Sequence, residues 1–170
     1  MAEVGAALGA APARIAVMGP PALGQMLARA GHLVLALGHK VGRLASMRQR
    51  LLKGQAPSFT VVRALPAALP VPAGSLDAIV YAGALPAGPT DALLEWERGL
   101  KAGGRVVIVG SVHAGLATRL RARLGGARLT PLRAEDYARL LLCSGFTDVT
   151  QVWPRGVVVI SAARARKVPA

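Results

Sequence analysis

Short apolar runs alternate with amphipathic stretches along most of this chain, and Gly/Pro punctuation separates them. Arg14–Met18 reads as an apolar strand closed by Gly19-Pro20-Pro21, and Ala22–Ala30 as a helix stopped by Gly31. Leu33–Leu37 is an unbroken apolar run, the pattern of a parallel strand buried on both faces. Lys40–Lys53 suits a second helix, with Val41, Leu44, Leu51 and Leu52 as its apolar stripe. Phe59–Val62 and Leu76–Tyr81 read as strands three and four, joined by a proline-rich connection from Pro66 to Gly74. A helix capped by Thr90 or Asp91 then runs to Lys101, where Gly103-Gly104 ends it, and Arg105–Val109 is a fifth strand.

Ala117–Leu124 reads as a short basic helix, and Pro131 or Ala134 opens another that carries Tyr137, Leu140 and Leu141 and stops at Gly145. Phe146–Trp153 and Gly156–Ala162 form a hairpin about Pro154-Arg155. Strands joined by crossover helices and followed by a hairpin predict an α/β three-layer sandwich with a mostly parallel sheet. The expected division is a flexible N-terminal tail over 1–12, one domain over 13–163 and a basic C-terminal tail over 164–170.

Composition narrows the classes. The chain has 170 residues, enough to bury a core in one domain. No apolar run approaches the roughly 18 residues that span a bilayer. The start lacks a cationic leader, and the single cysteine, Cys143, excludes an internal disulfide; together these predict a cytoplasmic protein. No metal site is expected, because cysteine-rich zinc motifs are ruled out. Cys143, Trp96 and Trp153 are expected to pack in or beside the core.

Charge changes the picture most. The formal net charge is +13, a field that attracts anionic partners. No acid occurs between Glu3 and Asp77, whereas Arg14, Arg29, Lys40, Arg43, Arg48, Arg50, Lys53 and Arg63 all lie in that interval. Arg43 and Arg50 share a helix face, as do Arg119 and Arg123 in the densest positive stretch outside it, so these four are the candidate partner-binding cations. They would meet an acidic protein. A nucleic-acid track is the weaker reading, since aromatics are 4% of the chain and no nucleic-acid motif is present.

Three segments together point to a family. Leu69-Pro70-Val71-Pro72-Ala73-Gly74-Ser75-Leu76-Asp77-Ala78-Ile79-Val80 resembles the entry to the fourth strand of class I S-adenosylmethionine-dependent methyltransferases. Leu100-Lys101-Ala102-Gly103-Gly104-Arg105-Val106-Val107-Ile108-Val109 is similar to that family's passage into its fifth strand, and Tyr137–Phe146 to the helix before its final hairpin. The resemblance implies a Rossmann-like sheet of seven strands with the last one antiparallel. It also implies where a cofactor would be held, and there the sequence departs from the pattern. Val17 stands where the family has an acid, and Pro20 and Pro21 interrupt the glycine turn of which Gly19 survives. Gly38, followed by His39, replaces the carboxylate that would hold the ribose, and the acid near the adenine falls around Ala64 or Leu65.

Gly19, Gly38, His39 and Gly83 therefore mark a vestigial cofactor cleft, with no catalytic residue assigned. His113, after the fifth strand, lacks a carboxylate close in sequence to orient it as a base. Asp77 is expected to serve structure. The reading is a methyltransferase-like pseudoenzyme without cofactor, acting as a binding or assembly module for an acidic partner. Its alternative is an active S-adenosylmethionine-dependent enzyme for a small molecule or lipid.

Overall fold

The structure is a computed structural model, and it describes residues 2–8, 13–38, 42, 44–45, 48–49, 58–83, 85, 88–111, 134–153 and 157–165. Its centre is a seven-stranded sheet in the order β3-β2-β1-β4-β5-β7-β6. The strands are β1 Arg14–Met18, β2 Leu33–Gly38, β3 Phe59–Arg63, β4 Leu76–Ala82, β5 Leu100–Ser111, β6 Phe146–Val152 and β7 Val157–Arg164. The first five pair in parallel, and β7 runs antiparallel between β5 and β6. This is the predicted three-layer α/β sandwich. Ile15, Ala16, Val17, Ile79, Val80, Val106 and Val107 are buried on both faces, which is why their segments carry no polar alternation.

Helices α1 (Ala2–Leu8), α2 (Pro21–Arg29), α3 (Pro89–Gly99) and α4 (Ala134–Cys143) cover the sheet. Val4, Leu23 and Leu27 pack with Ile15, Val34 and Phe59 on one face. Leu93, Trp96, Tyr137 and Leu141 pack with Ala16, Ile79 and Ile108 on the other. Helical backbone at Gly42, Leu44–Ala45 and Arg48–Gln49 falls within the helix predicted over Lys40–Lys53; the rest of that span, and the predicted Ala117–Leu124 helix, lie outside the described residues.

Several expectations are corrected. The stretch expected as an N-terminal tail contains α1, whose Val4 is 1% exposed, so residues 2–8 belong to the packed structure. Arg164, expected to open a tail, ends β7; its guanidinium donates to Glu97 at 2.6 Å and to the carbonyl of Leu100. α3 is capped by Gly88 in the left-handed region followed by Pro89 at the first helical position, not by Thr90 or Asp91. It stops at Gly99, before Gly103-Gly104. That pair instead serves an irregularity in β5, where the register shifts between Leu76 and Ala78. A Cβ on Gly104 would stand 2.9 Å from the carbonyl oxygen of Lys101 and 3.2 Å from that of Asp77, so backbones approach too closely for a side chain. Cys143 and Trp153 are exposed, the latter by 54%, whereas Trp96 is fully buried as expected.

Candidate functional site

In open parallel sheets, ligands meet the carboxyl ends of the strands. Met18 is in register with Leu37 on one side and Tyr81 on the other, which brings Gly19, Gly38 and Ala82-Gly83 to adjacent positions on that edge. Three of the four predicted cleft residues are thus neighbours; the fourth, His39, lies outside the described residues, as does His113.

Each glycine has a local physical reason. A Cβ on Gly19 would lie 2.7 Å from the Ala82 side chain, so close packing of the β1 and β4 ends excludes any larger residue. Gly38 accepts a hydrogen bond from Ala64 at 3.1 Å, and a Cβ there would stand 3.3 Å from Cδ2 of Leu44. Gly83 has φ +149, and its amide donates to Val109 at 3.0 Å. Gly24, in α2, belongs to the fold: a Cβ there would strike the Phe59 ring at 2.4 Å.

The edge is poor in charge. Val17 is 1% exposed inside the apolar core. Pro20 precedes α2 without a side-chain cap and Pro21 is its first residue, so neither contributes an N–H at this helix start. Ala64 is packed against the core, and Leu65 is exposed. At the positions where the resemblance implies carboxylates that accept from an S-adenosyl group, this chain has Val17, Gly38 and Ala64 or Leu65, and the apolar side chain of Leu44 adjoins Gly38. These residues do not fit that mode of cofactor binding.

Two tyrosines that the sequence reading passed over, or placed in a helix without a role, stand near this edge. Tyr81, beside the end of β4, packs on Trp96 with ring centroids 5.2 Å apart. Burial and then the neighbouring Tyr137 push its phenol pKa up. Burial also raises that of Tyr137, opposed by the Leu85 amide donating to its oxygen. Both stay neutral near pH 7, serving as hydrogen-bonding groups rather than bases. A polar aromatic near the end of a core strand was the available signal.

Asp77 lies at the opposite end of β4. Burial acts to raise its pKa, but the Arg14 main-chain N–H at 2.8 Å and Lys101 at 2.5 Å outweigh it and hold the carboxyl below the ordinary range. It is a structural clamp. Arg43, Arg50, Arg119 and Arg123 lie outside the described residues. Among the described residues, no three His, Cys, Asp or Glu side chains group as a metal site, and no helix is long and apolar enough to cross a membrane.

This sheet order, with its antiparallel last pair, is the class I S-adenosylmethionine-dependent methyltransferase fold. A provisionally assigned methyltransferase from Bacillus halodurans C-125 superposes with a TM-score of 0.75 at 13% identity, over 91% of this chain and 93% of its own. Geranyl diphosphate C-methyltransferase from Streptomyces coelicolor A3(2), solved with Mg2+, geranyl diphosphate and S-adenosyl-L-homocysteine, gives 0.76 at 14% identity, over 94% of this chain and 77% of that one. The cyclase SpnF gives 0.72 at 16%, over 91% and 75%. No protein-family profile matches the chain, and no curated protein matches it.

Proposed function

We propose that this protein is a methyltransferase-fold binding or assembly module for an acidic partner, with a cofactor site that no longer serves catalysis. The observation that carries the reading is Leu44 beside Gly38, at the position where the family's carboxylate holds the ribose. Replacing a charged acceptor by an apolar contact forfeits hydrogen bonds worth roughly 1.5–3 kcal/mol each. Several such losses move micromolar affinity toward millimolar. The +13 charge, with no acid from residue 4 to 76, supports an acidic partner.

A second reading is an active methyltransferase for a small or lipid-like substrate. It draws on the shared fold and on neighbours solved with S-adenosylhomocysteine, such as PigF. On that reading, backbone groups and His39 replace the missing carboxylates. Titration calorimetry with S-adenosylmethionine separates the two. The module reading expects binding no tighter than the high micromolar range. Cofactor carried through purification would overturn the module reading. The charge claim is tested with the double substitutions Arg43→Glu/Arg50→Glu and Arg119→Glu/Arg123→Glu. Loss of partner binding in either supports it, and indifference to both makes the charge background. Steeply salt-dependent duplex binding by the unmodified chain would favour the nucleic-acid alternative.

A further inference from the structure

Residues 64–75, between β3 and β4, form no helix, and Leu69 is the one buried residue among them. Main-chain bonds anchor the two ends. The Ala64 amide donates to Gly38 at 3.1 Å, and those of Gly74 and Ser75 to Arg98 and Gly99 at 2.9 and 3.0 Å. Between these anchors, the hydrogen bonds to other elements seen among the described residues come from three α3 side chains. Glu95 Oε1 accepts the Leu69 amide at 2.8 Å, and Trp96 Nε1 donates to the Pro66 carbonyl at 2.9 Å. Arg98 donates to the carbonyls of Leu69 and Val71 at 3.4 and 3.0 Å.

Three features separate this segment from the sheet beside it. Pro66, Pro70 and Pro72 carry no N–H, so the segment cannot join a ladder along its length. Its apolar anchor is a single leucine, whereas Ile79 and Val80 of β4 and Val106 and Val107 of β5 are all fully buried. Its polar anchor lies toward solvent: Glu95 and Arg98 meet at 2.7 Å with 17% and 39% of their side chains exposed, so water competes for those bonds. The pair holds both the amide and the carbonyl of Leu69, and breaking it frees that residue on both sides. Segments with few buried contacts and solvent-facing bonds open before the core does.

We propose that residues 65–73 are a strap that opens as a unit while the sheet stays folded, with Glu95 and Arg98 as its latch. Its hinges are the anchored ends at Ala64 and Gly74. Opening releases Pro66 from the Trp96 indole and withdraws Leu69 from its place beside Gly99. Because Ala64 is bonded to Gly38, the strap borders the candidate ligand edge and loosens it without unfolding a strand. The inference goes beyond both functional readings, since it holds whether or not that edge takes a cofactor.

Native-state hydrogen exchange of the full chain, followed by NMR at rising sub-denaturing urea, tests this. The probes are the Leu69 amide and the Trp96 indole N–H, with the Ile79 amide reporting the core. We expect both probes to be at least about a hundredfold less protected than Ile79 and to depend little on urea, because a local opening exposes little surface. That readout needs no variant. Val107→Ala, in the core of β5, should lower protection at Ile79 while leaving both probes within about twofold. Glu95→Ala should lower protection of the Trp96 indole, which Glu95 does not bond, at least about tenfold, and Glu135→Ala on α4 less than about twofold. Probes that match Ile79 in protection and urea dependence, or that fall with it in Val107→Ala, would show opening only with the whole fold and overturn the proposal. An indole unaffected by Glu95→Ala would overturn it too, since the strap would then not open as one latched unit.

Discussion

The two halves of the sheet use acidic residues in opposite ways. From β4 onward, acids tie elements together: Asp77 joins β4 to Lys101 at 2.5 Å, Glu95 and Arg98 hold the connection before β4, and Glu97 ties α3 to Arg164 of β7 at 2.6 Å. Asp91, Glu135 and Asp136 sit in the first turns of α3 and α4, where negative charge favours the helix start. From β1 to β3 there is no acid, and the strand ends carry glycines fitted against Ala82 and Leu44. The acids from β4 onward brace the fold, and the sequence places none on β1 to β3.

The largest effect that would sharpen this contrast is expected at Trp96, fully buried on α3 against Tyr81 of β4. Trp96→Ala should cost about 3–5 kcal/mol of unfolding free energy in urea, whereas Leu33→Ala, at an exposed position of β2, should cost under about 0.5 kcal/mol. Equal costs would break the division between the buried core and the exposed positions of β2. Next is Arg164→Ala, which strands Glu97 and the Leu100 carbonyl and should cost about 2 kcal/mol in the same titration.

pH dependence follows from the same acids. The Arg98 side chain, followed by the Leu69 amide, holds Glu95 below the ordinary glutamate range against its burial, and Asp77 is likewise depressed. Groups depressed in the fold contribute stability that is fully present above their unfolded values, near pH 4.3 and 3.9, and is lost as pH falls through the folded values. Urea midpoints should therefore be flat from about pH 7 to 5 with respect to these two groups and decline below. Arg98→Gln should make the acid-side decline shallower. An unchanged decline would show that this clamp contributes nothing.

The smallest effect lies at the ligand edge. Gly38→Ala should cost under about 1 kcal/mol, since the flexible end of Leu44 can give way, and Leu44→Ala should relieve about 0.5 kcal/mol of it in a double-mutant cycle. Zero coupling would mean that Leu44 does not occupy the Gly38 position in solution.

The strands were legible because parallel core strands are continuously apolar, and β1 to β4 and β6 began at the expected residues. Helix ends were less so. Gly103-Gly104 has the composition of a helix stop, yet it serves a strand irregularity, because Leu100 is fully buried and already paired with Leu76. α1 was missed because seven residues are too few to show an amphipathic period, and only packing of Val4 on the sheet shows its place. At the site, the missing acids were plain at Val17 and Gly38. Leu44 beside Gly38 was not, because sequence spacing alone does not bring residues 38 and 44 together. Likewise, Trp153 looked like a packing residue, but it lies beyond the end of β6 and is exposed.

The central proposal is that the carboxyl edge of the sheet does not hold an S-adenosyl group tightly. Titration calorimetry of S-adenosylhomocysteine into the purified full chain tests that directly, since it needs no substrate and no partner. The account predicts a dissociation constant no tighter than high micromolar, with heats that saturate poorly; a low-micromolar constant with one site per chain would contradict it.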